Sequence, residues 1–136
     1  QLMQYYQKAV SHGFQFFAIV GSAPSTATGA YDHLETIAAF AKIHHLWFHV
    51  DGAHGGAAIF SGSYKKLLDG AQHADSIVID GHKMLLMPTI TTALLFKDKV
   101  HAEHTFSQKA DYLLDDTTED EWYNSGRPND RRPSKF

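Results

Sequence analysis

At 136 residues, with 43% hydrophobic and 12% aromatic content, the chain holds enough apolar material for one ordinary core and is too apolar to be disordered. A formal net charge of −3 offers no basic surface to nucleic acid or an anionic membrane, and the absence of cysteine removes disulfides, thiolate metal sites and cysteine nucleophiles. Apolar runs such as 16–20 are far too short to span a bilayer, and the start of the chain lacks the layout of a signal peptide, so the expectation is a cytoplasmic protein with neither nucleic-acid nor membrane partners.

The chain begins at Gln1 without an initiator methionine, and Leu2, Tyr5, Tyr6, Ala9 and Val10 fall at helical spacing. That predicts a helix already under way, with upstream sequence before it. An apolar run at 14–20 predicts the first strand, and a small-residue loop at 21–29 follows. Leu34, Ile37, Ala38 and Ala41 then share one face of a predicted helix, with Asp32 in its first turn, where a carboxylate suits the exposed N–H groups. A second apolar run ends at Asp51, which completes a βαβ rhythm. Further along come a short helix at 64–68 stopped near Gly70, a strand at 76–80, a strand at 91–97 and a helix at 100–108. Strands apolar on both faces and separated by helices predict the α/β class, with a mostly parallel sheet flanked by helices on both sides. Residues 115–136, acidic at first and then basic with prolines, read as a poorly packed tail.

Right-handed crossovers place the carboxyl ends of parallel strands on one rim, where ligands of open α/β sheets gather. The loops at 21–28, 51–56 and 80–83 should therefore converge. In "WFHVDGAHGG" (47–56) a strand runs into Asp51 and then into residues with almost no side-chain bulk, leaving room for a flat ligand against Ala53. In "IVIDGHKML" (77–85) Lys83 follows a buried strand, and a lysine there is costly to desolvate unless something uses it. An acid and an amine facing one cavity suit a Schiff base to pyridoxal 5'-phosphate, the lysine holding the aldehyde and the acid holding the proton on the pyridine nitrogen.

"STATGAYD" (25–32), "WFHVDGAHGG", "ADSIVIDGHKM" (74–84) and "MP" (87–88), in this order and spacing, resemble the group II pyridoxal-phosphate-dependent amino-acid decarboxylases. That family acts on glutamate, aspartate, cysteine sulfinate, diaminobutyrate and aromatic amino acids, and the similarity runs over about the first four fifths of the chain. The resemblance implies the large domain of a fold-type I enzyme, with residues 1–114 as its C-terminal part and 115–136 leading toward a further domain. It also implies a homodimer. By the same resemblance Lys83 forms the internal aldimine, Asp51 pairs with the pyridine nitrogen, Ala53 packs on one ring face, His82 contacts the phosphate region, and Thr26 supports the acid or ring from the first loop. Met84 directly after the lysine is more like the branch acting on acidic or diamino substrates than the aromatic branch. Pro24 departs from the family, which usually has glycine there; it fixes φ and removes a donor. The phosphate loop and a ring-stacking histidine are expected upstream of Gln1, so the fragment alone is expected to be inactive.

Plainer roles exist for each residue. Asp51 suits an N-terminal capping acid, Lys83 a solvated lysine, His82 and His54 loop histidines, Ala53 a packing residue and Thr26 a turn former. Ten histidines, with His44, His45, His49, Asp51 and His54 close together, also suggest a metal-binding α/β domain. His49 and Asp51 share a strand face, but His44 and His45 fall at the strand's other end. The third alternative is a non-catalytic α/β fragment or interaction module.

Overall fold

A computed structural model describes residues 1–106, of which Gln1–Lys97 form one compact unit and a second begins at Asp98. The first unit runs through α1 (Leu2–Ser11), β1 (Ala18–Ser22), α2 (Leu34–His44), β2 (Trp47–Asp51), 3₁₀ turns at Gly55–Phe60, Lys65–Leu68 and Ala71–His73, β3 (Ser76–Asp80) and β4 (Thr92–Phe96). The second contributes α3 (Lys99–Phe106). The expected helix at 100–108 is thus seen up to Phe106, and its end and the 115–136 tail lie outside the described residues.

The strands lie in the order β1-β2-β3-β4, with the first three parallel and β4 antiparallel to β3. This is the α/β architecture expected, with a mostly parallel sheet. β4 turns back because residues 81–91 contain no helix, and a parallel crossover needs a dozen or more residues, usually helical.

Two sequence expectations shift at the first unit of βα structure. The strand predicted at 14–20 lies at Ala18–Ser22, leaving Phe14 and Phe17 exposed. β2 cannot begin before the α2 cap at His45, so β1 finds its first partner only where Ala18 meets Trp47. Asp32 is not in the first turn of α2 either. His33 caps that helix, its Nδ1 accepting the Thr36 N–H at 3.3 Å. The Asp32 carboxylate instead accepts the Ser22 N–H at 2.8 Å, while the Asp32 N–H returns to the Ser22 carbonyl at 3.0 Å. The acid closes the loop onto the strand end, where a backbone donor would otherwise lack a partner.

Register sorts the side chains onto two faces, because Cβ atoms alternate along a strand and paired residues point the same way. Ile19, Gly21, Phe48, Val50, Ile77 and Ile79 point to one face. α2 fills it with Leu34, Ala38 and Ala41, and Phe48, Leu34 and Val50 are the largest fully buried side chains. A Cβ on Gly21 would stand 2.7 Å from Leu34 Cδ2, so the glycine lets the helix settle on the sheet. The turn at Gly55–Phe60 packs on the same face, where a Cβ on Gly56 would meet Ile79. The other face carries Val20, Trp47, His49, Asp51, Ser76, Val78, Asp80 and Leu94. Val20 is 56% exposed and Leu94 42%, so the expected two-sided cover is present on one face only among the described residues.

Candidate cofactor site

The three loops at the carboxyl rim are joined through backbone hydrogen bonds. Ala23 N–H donates to the Asp51 carbonyl at 2.7 Å, Gly55 N–H to the Ala23 carbonyl at 3.1 Å, and Asp80 N–H to the Ala53 carbonyl at 3.1 Å. The Tyr31 hydroxyl adds a bond to the Gly55 carbonyl at 3.2 Å. Loop 23–33, the glycine-rich segment and the end of β3 therefore form one connected edge.

Asp51 ends β2 with an exposed side chain whose Oδ1 accepts the Ala53 N–H at 3.2 Å. Among the described residues no cationic side chain pairs with it. Ala53 thus links the two strand ends, fixing the Asp51 carboxylate through its N–H and the start of the 80–83 turn through its carbonyl.

Lys83 lies on the turn after β3, and its Nζ is 2.8 Å from Asp80 Oδ2. Asp51 registers with Val78, and Asp80 is two residues further along the same strand, so both acids point to the open face. The lysine amine is therefore tied to the face that carries Asp51, although its partner is Asp80 rather than Asp51. Thr92 Oγ1 donates to Asp80 Oδ1 at 2.7 Å, and His82 Nε2 stands 3.8 Å from Asp80 Oδ2. The hydrogen bond from Lys83, followed by that from Thr92, holds the Asp80 carboxyl below the usual carboxylate range against a smaller opposing effect of burial. His82 turns its Nδ1 to the backbone of Thr91, 3.0 Å from the carbonyl and 3.2 Å from the nitrogen, which leaves Nε2 on the Asp80 side.

Thr26 sits exposed in the 26–28 turn, and its hydroxyl makes no hydrogen bond among the described residues, to Asp51 or otherwise. The turn beside it is closed by Gly29 N–H to the Ser25 carbonyl at 2.8 Å, after a cis Ala23-Pro24 bond. Ala53 binds the Asp51 carboxylate, and Lys83 and His82 face Asp80 at the rim, whereas Thr26 is linked to Asp51 only through the backbone of its loop. Sequence reasoning passed over Asp80. Its signal was present, since "IVID" ends β3 on an acid as "WFHVD" ends β2, three residues before the lysine.

The histidines do not assemble a metal centre among the described residues. His49 Nδ1 meets Ser76 Oγ at 2.8 Å, an oxygen that also accepts from Trp47 Nε1 at 2.9 Å. The His44 ring packs against Tyr6 and Phe40 with centroids 4.3 and 4.4 Å away. Two clefts, of about 570 and 610 Å³, lie toward the amino ends of the parallel strands, near Leu46, and neither is lined by Asp51 or Lys83.

Residues 1–126 match the pyridoxal-dependent decarboxylase conserved domain. The chain belongs to the pyridoxal-dependent decarboxylase family. It is 37% identical over 134 residues to an acidic amino acid decarboxylase of Homo sapiens, covering 95% of this chain and 26% of that protein. It is 42% identical over 96 residues to the L-2,4-diaminobutyrate decarboxylase of Rhizobium meliloti, covering 71% and 19%. The chain thus spans about a quarter of the length of the curated relatives it matches, 26% for the human protein. Among solved structures, the glutamate decarboxylase domain of a Vibrio parahaemolyticus diaminobutyrate-pyruvate transaminase and L-2,4-diaminobutyrate decarboxylase superposes with TM-score 0.73 at 41% identity, over 76% of this chain and 22% of that one. An Oryza sativa TDC solved with PLP and tryptamine superposes with TM-score 0.78 over 93% of this chain and 27% of that one; at 22% identity that likeness speaks for the fold, the fold-type I arrangement of the family.

Proposed function

We propose that this chain is the part of a pyridoxal-phosphate-dependent amino-acid decarboxylase that supplies the amine for the cofactor aldehyde and the acid for its ring nitrogen. The observation that carries the reading is the placement of Asp51 and the Asp80–Lys83 pair on one open sheet face, at the carboxyl ends of parallel strands. The donor set fits the group. Lys83 provides a primary amine, and Asp51 is an exposed carboxylate without a cationic partner among the described residues, as a protonated ring nitrogen requires. Ala53 presents only a methyl group beside that acid, which suits the flat face of a ring, and His82, whose Nε2 stands 3.8 Å from Asp80 Oδ2, is the imidazole the rim offers to a phosphate. Thr26 is the weakest member of the set, since only its loop is tied to Asp51.

When bound, the cofactor supplies an electron sink for the pair left behind as carbon dioxide departs. Asp51 would hold the proton on the ring nitrogen. Lys83 would hold the cofactor through its amine and, when not so engaged, could carry a proton at Nζ. An acidic or diamino amino acid is the favoured substrate: Met84 follows the lysine, and two of the relatives are named for acidic amino acids and L-2,4-diaminobutyrate. A cytoplasmic homodimer belongs to the same proposal, and light scattering of the intact protein checks its dimeric part.

Borohydride treatment of the intact protein with pyridoxal 5'-phosphate tests the assignment. The expected result is a reduced pyridoxyl label on the peptide carrying Lys83, absent from Lys83→Ala. A wild-type protein that takes up no label, or a Lys83→Ala protein labelled as fully as the wild type, overturns it.

A further inference from the structure

We propose that Asp80 is a positioning residue for Lys83, an anchor that fixes the amine over the open face; this rests on the cofactor role of Lys83 argued above. Asp80 is itself held from two directions. Its backbone N–H is bonded to the Ala53 carbonyl at 3.1 Å, and its Oδ1 accepts from Thr92 Oγ1 at 2.7 Å. These two contacts come from the extension of β2 and from antiparallel β4, so the acid cannot swing without breaking a link to a neighbouring strand. Oδ2 faces Lys83 Nζ at 2.8 Å, with His82 Nε2 farther off at 3.8 Å, so the lysine is its near partner. The Asp80 side chain is 10% exposed while that of Lys83 is 38% exposed. A partly exposed ion pair adds little to stability, whereas one pinned, nearly buried partner determines where a long flexible side chain points.

The turn that carries the lysine explains why an anchor is useful. Residues 84–90 are exposed, and Leu86 adopts a left-handed backbone conformation with φ of 54°. A lysine beside such a segment has four side-chain torsions, and with 38% of the side chain exposed, packing alone does not fix its amine. The Asp80 carboxylate fixes it, on the face where Asp51 stands. Because Thr92 lies on β4, that strand enters the site indirectly, through the acid it holds.

Three variants of the intact protein separate anchoring from general support. Asp80→Asn removes the charge at nearly constant size, Thr92→Val keeps the charge but frees the carboxylate, and Thr92→Ser keeps the hydroxyl. The first readout needs no cofactor: acylation of Lys83 by an amine-reactive ester, quantified by peptide mass spectrometry against the exposed Lys65 and Lys66. The second is the rate of borohydride-trapped pyridoxal 5'-phosphate capture at Lys83. In Asp80→Asn and Thr92→Val, acylation of Lys83 should rise several-fold over the two reference lysines while capture slows several-fold. Thr92→Ser should match the wild type in both. A merely structural role would not move the two readouts in opposite directions. Unchanged acylation and capture in Asp80→Asn overturn the proposal, and if that variant does not fold, the same result in Thr92→Val overturns it. Should the wild type capture no cofactor, the function proposed above fails, while acylation alone still decides whether Asp80 holds the amine.

Discussion

The face of the sheet under α2 is filled by Phe48, Val50 and the gap left by Gly21, while the opposite face carries Asp51, His49, Ser76 and Asp80 beside an exposed Val20. On the first face every contact is apolar packing, and its residues are interchangeable in kind though not in size. On the second, polar side chains at strand positions must find partners, and most do so on the same face. His49 and Trp47 share Ser76, while Thr92 and Lys83 share Asp80. Asp51 is the exception: among the described residues its carboxylate is bonded only to the backbone N–H two residues on. The fold is held on one side of the sheet, and the residues proposed to meet the cofactor lie on the other. A substitution should therefore affect either stability or cofactor chemistry, according to the face it occupies.

The largest separation is expected at Asp51. In the intact protein, Asp51→Asn should lower turnover by about a hundred- to a thousand-fold, the range for removing a charge-stabilising group from an active site, with little change in thermal stability. Decarboxylation assays beside a melting curve check this, and a variant that melts early at full activity would reverse the assignment of faces. Phe48→Ala is the counterpart under α2. The ring is 1% exposed, so its loss should cost about 3–5 kcal/mol in chemical denaturation. Gly21→Ala should cost less, about 1–3 kcal/mol, because the new methyl group meets Leu34 Cδ2 at 2.7 Å and the helix must shift to admit it. If Gly21→Ala proved neutral, the packing of α2 on β1 would be looser than the close approach indicates.

The sequence made some of this legible and hid the rest for physical reasons. β2 and β3 are short apolar runs that each end on an acid, so pattern and boundary agree, and the strand predicted at 76–80 is found at Ser76–Asp80. β1 was misplaced because Phe14, Phe16 and Phe17 look like strand residues, yet pairing depends on where β2 begins, which is set by the end of α2. The direction of β4 was hidden for a similar reason: strand composition does not encode whether a neighbour runs parallel or antiparallel. At the rim, Asp51 and Lys83 stood out as charged residues at the ends of apolar text. Asp80 did not, because its importance comes from Thr92, which arrives on a strand whose pairing had to be seen first. Thr26 was drawn from a motif, and it sits exposed in the 26–28 turn.

The smallest effect on stability is expected at Asp80 and appears only in acid. The Lys83 hydrogen bond, with that of Thr92 behind it, holds the Asp80 carboxyl below its ordinary range in the folded protein. A carboxyl with a depressed folded pKa binds fewer protons when folded than when unfolded, so its contribution is fully present above the unfolded value and lost as pH falls through the folded one. Denaturation measured from neutral pH downward should therefore show the wild type losing stability below about pH 4, the range of an ordinary aspartate. Asp80→Asn cannot be protonated there and should lose less over the same interval. The difference should be modest, because the lysine partner is 38% exposed and solvent screens the pair. Parallel acid curves for the two proteins would mean that the carboxylate is not held by its neighbours. Diverging curves would place an electrostatic link on the open face while leaving the apolar packing under α2 unaffected, since that packing contains no group that titrates in this range.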